Sequence, residues 1–374
     1  MLKIMVIFGT RPEAIKLVPV IWEIEKHKDR IESFIVVTAQ HREMLDQVLS
    51  TFDIIPDYDL NLMKSNQSLS DVTAGVIKGV EDLLIKIRPN LILVQGDTTT
   101  TFASSLAGFY QKIKIGHIEA GLRTNNKYKP FPEEINRRLT SHIADFHFAP
   151  TERAKNNLLR EGIEGNKIFV TGNTVIDALR LTLEKIRESN FKPEGLKEVD
   201  FENKRIILVT AHRRESFGQG FRNICNALKE IAKNNPDIEV VYPVHLNPNV
   251  QKPVNEIIGN ISNIFLLKPL DYESFVYLMH KSYLILTDSG GIQEEAPSLG
   301  KPVLVMRDVT ERTEAIEAGT ARLVGTAKDK IVREIQLLLD DRHEYEKMAK
   351  SVNPYGDGKA SEKIIEILSG HLNE

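Results

Sequence analysis

Short apolar runs rich in β-branched residues alternate along this chain with longer stretches of helical periodicity. One series of runs reads Lys3 to Phe8, Phe34 to Val37, Leu91 to Val94, Ile115 to Ile118 and Ile168 to Val170. A second reads Arg205 to Thr210, Ile238 to Tyr242, Ile264 to Leu267, Tyr283 to Thr287 and Pro302 to Val305. A strand covered on both faces of a parallel sheet carries a continuous apolar run, and strands separated by helical stretches form βαβ units. The pattern therefore predicts an α/β protein made of two Rossmann-like, doubly wound domains in tandem.

The periodicity lapses between the two series. After a helical pattern at Thr174 to Arg187, the stretch from Glu188 to Lys204 carries Pro193, Gly195 and many charges without a clear period. The hinge is expected near Gly172 to Asn190, dividing the chain into domains 1–172 and 173–358. Asn353-Pro354-Tyr355-Gly356-Asp357-Gly358 then breaks the chain before a last helical pattern, Ala360 to Leu368. A helix over 359–370 is expected to pack back on the first domain. Length agrees, since 374 residues exceed what one hydrophobic core usually organises.

Composition narrows the partner. Hydrophobic residues at 41% and charged residues at 27% are ordinary for a soluble globular protein and indicate neither disorder nor a fibrous fold. A formal net charge of −3, with Lys and Arg scattered, argues against a nucleic-acid surface and points to a small partner. No apolar run is long enough to span a bilayer, and the opening residues Met1 to Gly9 read as a strand without a signal-peptide cleavage pattern. The single cysteine, Cys225, excludes an intramolecular disulfide and reads as a buried thiol on a helix over Phe221 to Ile231. A reducing cytoplasm, and no membrane association, is the expectation.

Ligands of doubly wound domains sit beyond the carboxyl ends of the strands, so the residues that follow each run carry the candidate chemistry. The first run ends in Gly9-Thr10-Arg11-Pro12-Glu13, where Pro12 suits the first position of a helix and Arg11 and Lys16 flank its start. A tight turn with surface charges is the plainer reading. The run ending at Thr287 leads into Asp288-Ser289-Gly290-Gly291, whose glycines would let backbone N–H groups approach a phosphate, with Glu295 placed to hold ribose hydroxyls. His212-Arg213-Arg214 after Thr210 would grip a diphosphate, or else form a solvated basic turn. His245 is equally readable as a structural histidine.

Three carboxylates fall in or after the later runs of the first domain: Asp97, Glu119 and Glu133. Asp97 would alternatively serve as a helix N-cap. Glu119, ending an apolar strand before Ala120-Gly121, is expected to carry a shifted pKa. No G-x-G-x-x-G, P-loop, H-E-x-x-H, cysteine cluster or G-x-S-x-G elbow is present, so neither a nucleotide cofactor, a catalytic metal nor a serine hydrolase is expected.

Taken together, Phe8 to Glu13, Thr38-Ala39-Gln40-His41-Arg42-Glu43, Gly96 to Thr100, His212 to Glu215, Asp288 to Glu295 and Asn353 to Gly358 resemble the non-hydrolysing UDP-N-acetylglucosamine 2-epimerases over nearly the whole chain. The resemblance implies a glycosyltransferase-B-type fold with both domains facing a central cleft, and a homodimer that needs no cofactor and supplies UDP-N-acetylmannosamine for glycan or surface-polysaccharide synthesis. It implies Phe275 and the backbone near Leu270 for the uracil, and Glu295 for the ribose. Ser289, Gly290, Gly291 and Arg11 would face the diphosphate, joined by Lys16, His212 and Arg312. Asp97, Glu119 and Glu133 would move protons, with His212 as a further catalytic candidate. Gln40, His41, Arg213 and His245 are candidates for further or regulatory substrate contacts. C2 of an N-acetylhexosamine is not α to a carbonyl, so its proton leaves readily only if UDP leaves C1 as well, giving a glycal. A hydrolysing epimerase, an acceptor-dependent glycosyltransferase and a UDP-sugar sensor remain as alternatives; the presence of all three carboxylates favours an enzyme.

Overall fold

The computed structural model describes residues 1–39, 42–62, 67–189, 191–193 and 195–372. Among the described residues, seven strands build the first sheet: β1 (Leu2–Phe8), β2 (Ile31–Val37), β3 (Tyr58–Asp59), β4 (Leu91–Gln95), β5 (Lys114–Ile118), β6 (Phe146–Ala149) and β7 (Ile168–Val170). Six build the second: β8 (Arg205–Thr210), β9 (Ile238–Pro243), β10 (Ile264–Leu267), β11 (Leu284–Thr287), β12 (Val303–Val305) and β13 (Ala321–Leu323). Every pairing is parallel. The orders are β3-β2-β1-β4-β5-β6-β7 and β10-β9-β8-β11-β12-β13. In each sheet the order reverses beside the opening strand, between β1 and β4 and between β8 and β11. Those are the switch points at which doubly wound folds bind ligands.

The continuous apolar runs earn their place in the middle of each sheet. Ile4 to Phe8 of β1 and Ile206 to Val209 of β8 are buried because helices cover both faces. Met5, Ile7, Val36, Val80, Ile92 and Val94 share one core with flanking helices, and Ile207, Val209, Phe221, Leu228, Val240 and Leu286 share another. Cys225 belongs to the second core, where burial pushes its thiol up to about 12. No helix among the described residues is long and apolar enough to cross a membrane.

The chain forms two compact units, Met1–Arg180 with Tyr355–Glu374, and Leu181–Pro354. The division falls inside the helix Thr174–Glu188, later than the boundary expected after Gly172. The reason is that the helix's first turns carry Val175, Ile176, Ala178 and Leu179, all buried, and Asp177, whose carboxylate accepts N–H bonds from Ala360 at 3.2 Å and Ser361 at 2.8 Å. Asp177 thereby caps the last helix, Ala360–Leu372, which packs on the helix Arg11–Glu25 and buries Ile364, Ile365 and Leu368. Gly172 and Gly356 touch backbone to backbone beside it, at φ of 92° and 123°, where a Cβ on either would come within about 3.2 Å of the other chain segment. Asn173 N–H donates to Tyr355 O at 2.7 Å in the same place.

Candidate functional site

At the β1/β4 switch point of the first unit, the turn after β1 starts the helix Arg11–Glu25 with Thr10 as its N-cap and Pro12 in its second position, not its first. Glu13 is buried beneath this turn. Its Oε2 accepts the N–H groups of Gly9 at 3.1 Å and Thr10 at 2.8 Å, while Oε1 accepts the hydroxyls of Thr98 at 2.6 Å and Thr101 at 3.1 Å. Burial raises the Glu13 pKa, and hydrogen bonding from the side chains of Thr98, Thr10 and Thr101 and the backbone of Gly9 opposes the rise. Glu13 thus ties the turn bearing Arg11 to the turn bearing Asp97.

Lys16, one turn further along the helix, reaches Glu119, and the same Oε2 of Glu119 receives the amide of Gln95 at the end of β4. Glu119 follows β5 with φ of 64°, a left-handed conformation that strains a residue with a side chain. Asp97 is not the cap of the helix Thr99–Tyr110; Thr98 is, accepting Thr101 N–H at 3.1 Å. The Asp97 carboxylate is instead bound by Arg137, and its carbonyl accepts Asn136 Nδ2 at 3.0 Å. Asn136 and Arg137 lie on the helix Glu133–Ile143, whose first residue is Glu133; its buried Oε2 has no hydrogen-bond partner. Arg11, Lys16, Asp97 and Glu119 thus lie on linked turns after β1, β4 and β5, and Glu133 opens the helix whose Asn136 and Arg137 hold Asp97.

Gly121 holds the backbone after Glu119. It sits at φ of 90°, its carbonyl accepts Asn157 Nδ2 at 3.0 Å, and a Cβ there would lie 2.3 Å from the Ala154 carbonyl oxygen. Gly121→Ala is expected to destabilise the protein by about 2–4 kcal/mol, through left-handed strain and a backbone clash no side-chain rotation relieves. Chemical denaturation monitored by circular dichroism checks this, and an unchanged midpoint would contradict it.

The second unit gathers its candidates at the β8/β11 switch point. Buried Asp288 accepts the N–H groups of His212 and Arg213, both at 2.7 Å, and its Oδ1 lies 3.2 Å from His212 Nδ1. Burial lowers the His212 pKa; Asp288 opposes this, and His245 and Arg213 add to it. The His245 ring stacks on His212 with centroids 5.5 Å apart, while its Nδ1 accepts Asn247 N–H at 3.1 Å as a local turn contact. Arg213 approaches Glu311 at 3.9 Å, and its buried Nε has no partner.

Ser289 N–H donates to Thr287 Oγ1 at 2.9 Å, and the short helix Gly290–Glu295 begins directly after it. The Arg312 guanidinium lies over Gly290, where an added Cβ would meet its Cζ at 3.2 Å, so the glycine makes room for the cation. Arg312 is oriented by Glu294 at 2.8 Å and Glu311 at 3.2 Å. A Cβ on Gly291 would meet Glu295 Oε1 at 3.4 Å, placing that carboxylate beside the glycine pair. Leu270 and Phe275, both half-buried, flank the start of the helix Tyr272–Lys281, capped by Asp271 accepting Ser274 N–H at 2.8 Å. Gln40 and His41 lie outside the described residues.

Sequence reading gave no role to the groups that orient these candidates: Glu13, Gln95, Asn136, Arg137, Asp288 and Glu294. Only Glu13 had a local signal, its position three residues after Thr10 at a helix start. Among the described residues, no group of three or more His, Cys, Asp or Glu side chains is arranged to hold a metal ion.

Two parallel doubly wound units with arginines, glycines and carboxylates at their switch points make up an α/β fold suited to a phosphorylated small ligand. The family model described as UDP-N-acetylglucosamine 2-epimerase matches residues 23–369. A Campylobacter jejuni UDP-N-acetylglucosamine 2-epimerase is 58% identical, over 100% of this chain and 99% of its own length. The crystal structure of the Neisseria meningitidis UDP-GlcNAc 2-epimerase bound to UDP-GlcNAc superposes with a TM-score of 0.90 at 55% identity, covering 99% of this chain and 100% of that one. The Methanocaldococcus jannaschii enzyme in complex with UDP-GlcNAc and UDP does so with 0.79 at 38%, covering 99% and 100%. The chain belongs to the UDP-N-acetylglucosamine 2-epimerase family.

Proposed function

We propose that the chain interconverts UDP-N-acetylglucosamine and UDP-N-acetylmannosamine without hydrolysing either, using no cofactor. The C1–O bond to UDP breaks with its electron pair leaving on the diphosphate, while a base removes the C2 proton, leaving 2-acetamidoglucal. UDP then re-adds at C1 as an acid delivers a proton to the opposite face of C2. The observation that carries this reading is the carboxylate set of the first unit, with Glu119 held by Lys16 and Gln95, Asp97 held by Arg137 and Glu133 offering an unpartnered oxygen. Proton removal on one face and delivery on the other need two such groups. In the second unit, Arg312 over Gly290, with Ser289, Gly291 and His212, supports a diphosphate role. Glu295 takes the ribose, and Phe275 with the backbone at Leu270 takes the uracil.

We take the working form to be a homodimer. Exposed Ile85, Phe109, Tyr110, Ile135 and Leu139 on the adjoining helices Leu69–Ile87, Thr99–Tyr110 and Glu133–Ile143 support it.

Incubation with UDP-N-acetylglucosamine alone in deuterated water, followed by NMR, is the direct test. The expected result is UDP-N-acetylmannosamine carrying deuterium at C2, and deuterium in the recovered starting sugar as well. An epimer that retains only hydrogen at C2 would sink the elimination mechanism. Stoichiometric UDP with free N-acetylmannosamine would establish the hydrolysing alternative, and a requirement for an acceptor would establish a transferase.

A further inference from the structure

We infer that His117 is a positioning residue for the epimerisation, setting through one hydrogen bond the turn that carries Asp97. The inference rests on the reading above, in which Asp97 is one of the proton-transfer carboxylates. Three consecutive residues of that turn are each pinned from a different element. Gly96 O accepts from His117 Nε2 of β5 at 2.7 Å, Asp97 O from Asn136 Nδ2 at 3.0 Å, and Thr98 Oγ1 donates to Glu13 Oε1 at 2.6 Å. Gly96 itself is left-handed, with φ of 74°, and its N–H donates to Ile118 O at 3.0 Å.

A carbonyl only accepts, so the His117 proton is on Nε2 and Nδ1 is bare; Nδ1 is buried and has no partner. Burial, with Arg123 and Arg137 adding to it, pulls the ring down to about 4, against the pull of Gly96 O and Glu119, so near neutral pH it is an uncharged donor. The consequence is geometric. The peptide between Gly96 and Asp97 follows a glycine, whose backbone rotates more freely than any other, and His117 is the group that holds its oxygen. Without that donor the peptide plane turns and carries the Asp97 side chain with it. Displacements of about 1 Å in a reacting group cost on the order of 10²-fold in rate.

Of the three pins, His117 is the cleanest to remove. Glu13 also holds Gly9, Thr10 and Thr101, whereas the second ring nitrogen of His117 bonds nothing.

The test compares His117→Leu, which deletes the donor, with His117→Gln, whose side-chain amide restores an N–H, in epimerisation of UDP-N-acetylglucosamine followed by NMR. For His117→Leu, kcat is expected to fall on the order of 10-fold to 10²-fold, with KM held within about two-fold. His117→Gln should recover most of the loss. In an Asp97→Asn background the same His117→Leu change should cost far less, because the group it positions is already disabled. If the Leu variant does not fold, His117→Met refills the volume without a donor and takes its place. Wild-type kcat in a folded donor-less variant would overturn the inference, as would an undiminished loss in the Asp97→Asn background. A wild-type protein that leaves UDP-N-acetylglucosamine unchanged would instead remove the epimerase reading, and the inference with it.

Discussion

Glu119→Gln is expected to lower turnover on the order of 10²-fold or more while leaving the melting temperature nearly unchanged. Glu119 occupies a strained left-handed position after β5 and offers one oxygen to both the Lys16 ammonium and the Gln95 amide. Glutamine keeps the shape and an acceptor oxygen for those donors, so the fold retains its contacts. It removes the charge that makes the group a base, while the amide oxygen still accepts from the Lys16 ammonium. Asp97→Asn, which keeps an acceptor for Arg137, and Glu133→Gln are expected to show losses of similar size. Initial rates with UDP-N-acetylglucosamine, beside thermal melts of each variant, make the comparison. Near-wild-type rates in all three would mean that the carboxylates do not carry the chemistry.

Acid is expected to destabilise the protein steeply between pH 6.5 and about 4, and two histidines cause much of it. His117 and His147 are register partners on β5 and β6. Burial takes His117 to about 4 and His147 to about 3, with Arg123 and Arg137 pressing on the first, and His117, Arg123 and Lys167 on the second. For His117, Glu119 and the hydrogen bond to Gly96 only partly offset these. A histidine whose pKa is lower folded than unfolded binds its proton first in the unfolded chain. Stability is therefore unaffected above the unfolded value near 6.5 and falls as pH drops toward the folded values. Each ring accounts for a loss on the order of 3 kcal/mol when the window has been crossed, against a total stability of about 5–15 kcal/mol. Urea midpoints measured from pH 7 to 4 read the slope. His147→Phe should flatten it, because the more strongly shifted ring no longer titrates. An equally steep dependence in that variant would assign the acid sensitivity elsewhere.

The architecture was legible because its strands are apolar end to end. β1, β4, β8 and β11 needed only the run of buried residues and the helical stretches around them. β6 escaped because its run is broken by His147, a polar residue whose burial only the neighbouring strand explains. β3 and β13 escaped because two or three residues at a sheet edge, one of them a charged Arg322, carry no usable period.

The candidate site was legible where its chemistry is local: glycines before a helix, or a carboxylate ending a strand. Its supporting groups were not. Glu13 meets Thr98 and Asp288 meets His212 across separations of 85 and 76 residues, and no local pattern encodes such partnerships. The domain boundary moved for the same reason: Asp177 looks like any helical aspartate until it caps a helix whose sequence begins at Ala360.

That cap has a bearing on how the polypeptide acquires its shape during synthesis. The second unit is an insertion within the first, leaving it after Arg180 and rejoining it at Tyr355. On the ribosome, chains emerge from the N-terminal end and domains fold as they become available. The unit that starts first therefore finishes last: its sheet emerges early, but the helix Arg11–Glu25 waits for its neighbour Ala360–Leu372 until the inserted unit has been made. For that interval the growing chain exposes an apolar strip whose cover has not yet been translated, and the inserted unit can complete its own core first.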